Sequence, residues 1–181
     1  MLQKNNDIFN NNLVKVVRII FNYPNKSFHI RRLAKEAGVS TTTVSNVIDQ
    51  LLKYKIVKIE KTEITTNIQA DLESQTYFSY KRIFNLFRLE KTGFIRKLIK
   101  DYMPESIVLF GSFAKGEDIE ESDIDILIII KKDISHDTDQ LEKEFNRKVN
   151  LHILPNLDKS SLEFKNTIAN GIVLHGYIKV V

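Results

Sequence analysis

Residues 106–130 set Gly111-Ser112 and, after ten intervening residues, Asp123-x-Asp125 against two apolar bursts, SIVLF and DIDILIII. Each burst has the length and β-branching of a buried strand. Between them, Phe113, Ala114 and Lys115 make a short helix ended by Gly116, and GEDIEES is a charged loop in which Ser122 serves as the turn residue at the strand entry. The segment is therefore expected to run strand, turn, short helix, loop, strand. On a strand the i, i+2 spacing turns both carboxylates to one face, about 6–7 Å apart along the backbone, where they can share metal ions. No G-x-x-x-x-G-K-[ST] occurs, so a phosphate loop of the Walker type is excluded.

The run GSFAKGEDIEESDID resembles the signature of the minimal nucleotidyltransferases of the DNA polymerase beta superfamily. The resemblance implies that Gly111 and Ser112 hold the β and γ phosphates of a nucleoside triphosphate and that Asp123 and Asp125 hold two magnesium ions, with Lys115 adding charge near the triphosphate. It further implies transfer of a nucleoside monophosphate to a hydroxyl with release of pyrophosphate, ATP being the expected donor. The chemistry agrees with these roles. Glycine lets backbone approach phosphate oxygens, a helix amino terminus offers free N–H groups, and hard cations take oxygen ligands.

Asp139 to Asn146 reads as an amphipathic helix and Lys148 to Leu154 as a third strand, with Val149, Leu151 and Ile153 on one side and Asn150 and His152 on the other. In relatives of the resembled family the latter side carries a third carboxylate that completes the metal site and serves as general base. Here that position offers Asn150, which can lend a carbonyl oxygen to a cation but cannot take a proton. His152 can take one, and is the candidate base; its alternative reading is a packed or surface histidine. The ending SSLEFKNTIANGIVLHGY gives a capped helix that stops at Gly171 and a short strand that completes the sheet, with His175 read as structural.

Charge divides the chain. Residues 1–90 carry 14 Lys and Arg against 8 Asp and Glu, and residues 91–181 carry 13 against 15. A basic half suits a polyanion and a mildly acidic half a divalent cation. In the basic half, Ile8, Leu13, Val16, Val17, Ile20 and Phe21 form a helical stripe that stops near Tyr23-Pro24. Ser27 caps a second helix through Ile30, Leu33, Ala34 and Ala37, closed by Gly38, and Ser40 caps a third over Thr41 to Lys53.

The stretch IRRLAKEAGVSTTTVSNVIDQLLK resembles the helix-turn-helix of winged-helix transcriptional regulators. That resemblance places Thr42, Thr43, Ser45 and Asn46 toward the major groove of double-stranded DNA and Arg31, Arg32 and Lys35 near its phosphates. Asn46 is the one plausible adenine reader. The wing is expected as two strands, Ile56 to Glu60 and Ile64 to Ile68, around a Lys61-Thr62-Glu63 turn. A three-helix module for protein contacts is the alternative reading.

Ser74 to Glu90 is expected to be a long helix whose stripe, Tyr77, Tyr80, Ile83, Phe84 and Phe87, serves either as core or as the seam of a homodimer. The resulting expectation is an α/β (α+β) protein. A winged helix-turn-helix domain (1–72) and connecting helices (73–103) precede a minimal nucleotidyltransferase domain (104–181) with a mixed sheet flanked by helices. Minimal relatives often act on a protein partner as antitoxins, so a protein acceptor or toxin partner is expected. The competing expectation is a non-enzymatic regulator whose second domain is a nucleotide sensor or dimerisation module. No run approaches the ~20 apolar residues of a membrane span, the amino terminus lacks the apolar run of a signal peptide, and cysteine is absent, so a cytoplasmic protein is expected.

Overall fold

The computed structural model describes residues 11–61 and 66–179. The chain divides into two compact units, Met1–Phe78 and Ser79–Val181. Among the described residues no helix is long and apolar enough to cross a membrane.

In the first unit, helix α1 (Asn12–Asn22) is capped by Asn11, whose side chain accepts from the Val14 amide at 2.9 Å, and it ends before Pro24 as expected. Ile8 lies outside the described residues. Helix α2 (Ile30–Ala37) closes on Gly38 at φ 64°, the left-handed conformation that favours glycine. Its amino-terminal cap is His29, which makes no side-chain cap bond. Ser27, expected to cap it, instead accepts from Gln69 at 2.6 Å, because the chain bridges Phe28 to Ile68 here rather than entering the helix. Helix α3 (Thr41–Lys53) has the expected bounds, with Ser40 accepting from the Thr43 amide at 3.0 Å.

The three helices bury Val16, Ile20, Leu33, Val44, Ile48 and Leu51 against one another. Strands β1 (Val57–Lys61) and β2 (Thr66–Ala70) pair antiparallel, Ile59 opposite Ile68. The second strand ends two residues later than its hydrophobic alternation predicts, since Ala70 pairs with Val57; its expected start at Ile64 and the Thr62-Glu63 turn lie outside the described residues.

Helix α4 (Gln75–Lys91) is followed by α5 (Phe94–Tyr102). The aromatic stripe of α4 does not form one buried face. Tyr77 is fully buried and Phe84 9% exposed, whereas Tyr80 and Ile83 are 43% and 62% exposed. The 3.6-residue period rotates these positions apart over three turns.

The second unit is built on a four-stranded mixed sheet, order β5-β4-β3-β6, from β3 (Ser106–Phe110), β4 (Ile124–Ile129), β5 (Val149–Leu154) and β6 (Ile172–Gly176). β3 pairs antiparallel with β4 and β6; β4 and β5 run parallel. Successive residues of the central strands serve opposite cores. Ile107, Leu109, Ile126 and Ile128 pack with α5, the short helix α6 (Gly111–Lys115) and α7 (Asp139–Phe145), while Val108, Phe110, Leu127 and Ile129 pack with Leu157 and with Ile168 of α8 (Leu162–Ala169). Burial on both faces is why β3 and β4 read as continuous apolar runs.

Candidate functional site

The site forms where β3 ends. Gly111 takes φ 76° as the chain leaves the strand for α6, and a Cβ built on it would lie 2.7 Å from Asp125 Oδ2. Glycine is therefore required twice there, by the backbone conformation and by the approach of the carboxylate. Ser112 follows, half-buried, in the first turn of α6.

Asp123 immediately precedes β4 and Asp125 is its second residue, paired in register with Phe110 on β3 and with Asn150 on β5. That double register brings the third strand to the aspartates. The Asn150 amide Nδ2 donates to Asp125 Oδ1 at 3.0 Å and to Asp123 Oδ2 at 3.2 Å. Carboxylates only accept, so the amide turns its nitrogen to them and partly neutralises two like charges held on one face. A cation at these oxygens would favour the opposite amide orientation, with Oδ1 inward.

His152, opposite Leu127 in register, has Nε2 3.7 Å from Asp125 Oδ1. That nitrogen is shielded from solvent and has no hydrogen-bond partner among the described residues. The ring lies against Phe110 (centroids 5.2 Å) and Phe164 of α8 (5.9 Å), so the α8 side of the sheet is the face the site occupies. Val149, Leu151 and Ile153 point into the other core, as the alternation of the strand predicts. Lys115 stands exposed at the end of α6, where it and Leu162, Glu163, Asn166, Thr167 and Asn170 line an open cleft of about 670 Å³.

The donor set fits a divalent cation. Two carboxylates converge with an amide that can present its carbonyl, and these are hard oxygen ligands. Among the described residues no group of three or more His, Asp, Glu or Cys side chains is placed to hold a metal ion, so the charged part of the set is the aspartate pair alone.

Of the remaining positions singled out in the sequence, Arg31, Arg32, Thr42 and Asn46 are exposed in the first unit, and Thr43 and Ser45 half-buried. Arg32 pairs with Glu36 at 2.8 Å. The Thr43 hydroxyl meets that of Ser40 at 2.8 Å, which engages it in the helix cap. His175 sits on β6, opposite Ile107.

Sequence reasoning missed a buried polar cluster beneath the loop that joins α6 to β4. Asp118, read as part of a charged loop, is 2% exposed, and Lys81 and Asn85 of α4 are 1% and 3% exposed. Asn85 donates to Asp118 Oδ1 at 2.7 Å and Arg147 meets Asp118 Oδ2 at 2.8 Å. A signal existed in the spacing of α4, where Lys81 and Asn85 continue the i, i+4 row of the buried Tyr77. Ser122, expected to shape the strand entry, accepts from the Ile119 amide at 2.9 Å.

Residues 93–177 match the family described as "Polymerase beta, Nucleotidyltransferase". The mixed sheet with its flanking helices fits such a domain. Two proteins of Methanocaldococcus jannaschii are similar over shorter stretches. "Putative protein adenylyltransferase MJ1379" is 59% identical over 34 residues, 18% of this chain and 34% of the relative. "Putative protein adenylyltransferase MJ0141" is 45% identical over 38 residues, 21% of this chain and 37% of the relative. The chain thus spans about a third of the length of the curated relatives it matches. These similarities support nucleotidyl transfer as the chemistry of the second unit.

Proposed function

We propose that this chain is a DNA-binding protein adenylyltransferase. It moves the nucleoside monophosphate of a triphosphate, ATP by the names of its relatives, onto a hydroxyl of a protein acceptor. The observation that carries the reading is the approach of Asp125 to the Gly111-Ser112 turn, the Gly111 Cβ position lying only 2.7 Å from Asp125 Oδ2, with Asp123 joined to Asp125 through the Asn150 amide. The turn offers backbone N–H groups to phosphate oxygens, and the aspartates, with the Asn150 carbonyl, would hold magnesium beside them. Bound magnesium would supply charge stabilisation to an in-line displacement. In that displacement the acceptor oxygen bonds to the α-phosphorus, the bond to the bridging oxygen breaks, and pyrophosphate leaves. His152, whose Nε2 has no other partner among the described residues, is the group placed to take the hydroxyl proton.

The first unit supports a second role. Its capped third helix, the left-handed Gly38 turn before it and the two-stranded sheet after it have the order of a winged helix, and residues 1–90 carry the basic excess. We assign Arg31 and Arg32 to phosphate contact and Thr42, Ser45 and Asn46 to the groove, with Thr43 a cap residue first. A homodimer would present two such helices to two half-sites.

A non-enzymatic reading also has an observation in its favour. The third strand presents the neutral Asn150 amide, rather than a carboxylate, to both aspartates, as a nucleotide sensor that does not turn over would tolerate. Incubation of the full chain with α-labelled ATP, magnesium and candidate protein acceptors tests the choice. Labelled acceptor that disappears in Asp123→Asn with Asp125→Asn is the expected result; ATP binding without labelling of any acceptor would select the sensor.

A further inference from the structure

We propose that the buried cluster Lys81, Asn85, Asp118 and Arg147 is a positioning latch that fixes the distance between the phosphate turn and the metal-binding aspartates. The inference rests on the nucleotidyl-transfer reading of the site and names the residues that hold it in shape.

The contacts converge on the two ends of the loop that must be spanned. At the α6 end, Asn85 Nδ2 donates to the carbonyl of Phe113, the residue after Ser112, at 3.0 Å, and to Asp118 Oδ1 at 2.7 Å. At the β4 end, Arg147 Nη1 lies 2.8 Å from Asp118 Oδ2 and 3.5 Å from the carbonyl of Ser122, the residue before Asp123. Lys81 Nζ donates to the Asp118 carbonyl and stands 3.4 Å from its Oδ2. One carboxylate therefore ties helix α4, the end of the phosphate turn and the entry to the aspartates together, and the Ile119 amide bond to Ser122 closes the loop within that frame.

The charge pattern argues against a purely stabilising role. Two cations and one anion are taken out of water, and Lys81 is pushed below its ordinary value by burial, with the attraction of Asp118 opposing. Buried ion pairs of this kind are often neutral or unfavourable against an apolar replacement of similar volume, so stability alone does not account for them. Fixing a metal ligand from behind does, since groups behind ligands set ligand orientation and change metal affinity roughly tenfold to a hundredfold.

The full chain carrying Arg147→Met, which removes the donor to both Asp118 and the Ser122 carbonyl and leaves Lys81 paired with Asp118, is compared with wild type by hydrogen exchange and by ATP titration with and without magnesium. A second protein, Lys81→Met with Asp118→Asn and Arg147→Gln, removes every buried charge of the cluster together, so that no ion is left buried without its partner. The latch predicts faster exchange at the Ile119 and Ser122 amides while those of β3 and β4 stay slow. It also predicts a magnesium-dependent ATP affinity reduced roughly tenfold to a hundredfold, with magnesium-free affinity unchanged and the melting temperature of the fully neutral second protein near that of wild type. Loop amides that stay slow in both variants, or a loop that opens while magnesium-dependent affinity is unchanged, would overturn it. A wild-type protein that binds no triphosphate would sink the functional reading and the positioning role together, and the exchange data would still show separately whether the cluster holds the loop.

Discussion

Asn150 Nδ2 lies 3.0 Å from Asp125 Oδ1, so the third strand meets the candidate metal ligands with a neutral donor where a carboxylate would add charge. The aspartates stay close together because the amide bridges them. Replacing the bridge by a carboxylate should reverse the electrostatics. Asn150→Asp is expected to lower the melting temperature in chelator, through like-charge repulsion, and to regain it when magnesium is added. In the labelling reaction the same variant should raise the transfer rate, because the added carboxylate gives the metal site a third charged ligand. A melting temperature indifferent to magnesium in both proteins would contradict this account of the site.

His152 supplies the contrasting case. If its Nε2 takes the acceptor proton, His152→Ala should abolish labelling while leaving magnesium-dependent ATP affinity within about twofold, because a group that acts only in the transition state changes rate without changing binding. Rate retained in His152→Ala would rule His152 out as the base.

Gly111 tests the phosphate turn. Alanine there must adopt φ 76° and place Cβ against Asp125 Oδ2. The variant should lose roughly 1–2 kcal/mol of unfolding free energy, the cost of left-handed backbone for a residue with Cβ, and its ATP affinity should fall with magnesium present. Denaturant titration and calorimetry measure the two effects; a fully stable variant with normal affinity would show that the turn is not shaped as described.

Lys81 gives a pH test. Burial lowers its pKa from the ordinary 10.5, so the folded chain releases this proton at a lower pH than the unfolded chain does. Between that lowered value and 10.5 the unfolded state binds more protons, and stability from this group rises with pH across the window. The unfolding free energy of wild type minus that of Lys81→Met should therefore increase as pH is raised toward 10.5. A difference that stays flat would place the Lys81 ammonium in a better solvated setting than the 1% exposure of the residue implies.

For the first unit, the full chain should bind duplex DNA with an affinity that falls steeply with salt. Arg31→Ala with Arg32→Ala should weaken binding across sequences and reduce the salt slope by about one to two. Asn46→Ala should cost about 1–3 kcal/mol at one preferred sequence only. Gel shifts at several salt concentrations report both, and no shift with genomic fragments at low salt would remove the DNA-binding role.

Local chemistry made much of this architecture legible. Gly38, Ser40, Gly116 and Ser161 end or begin helices through backbone conformation or a cap bond, and a single residue type announces either. Two-sided burial made β3 and β4 continuous apolar words, and the alternation of β5 already separated Asn150 and His152 from the core. What could not be read depended on partners distant in sequence. Ser27 prefers Gln69, 42 residues away, to the helix it precedes. Asp118 looks solvated in GEDIEES until Lys81, 37 residues earlier, and Arg147 reach it. The α4 stripe serves the core only in part, because helix rotation leaves Tyr80 and Ile83 exposed while Tyr77 and Phe84 are buried.

The most direct test of the central claim is calorimetric titration of ATP into the full chain, with and without magnesium, for wild type and for Asp123→Ala combined with Asp125→Ala. Wild-type affinity is expected to strengthen when magnesium is present, and the double variant to lose that magnesium-dependent part. Equal affinity of the two proteins in magnesium would contradict the claim, because the aspartates that converge on Gly111 would then hold nothing the triphosphate needs.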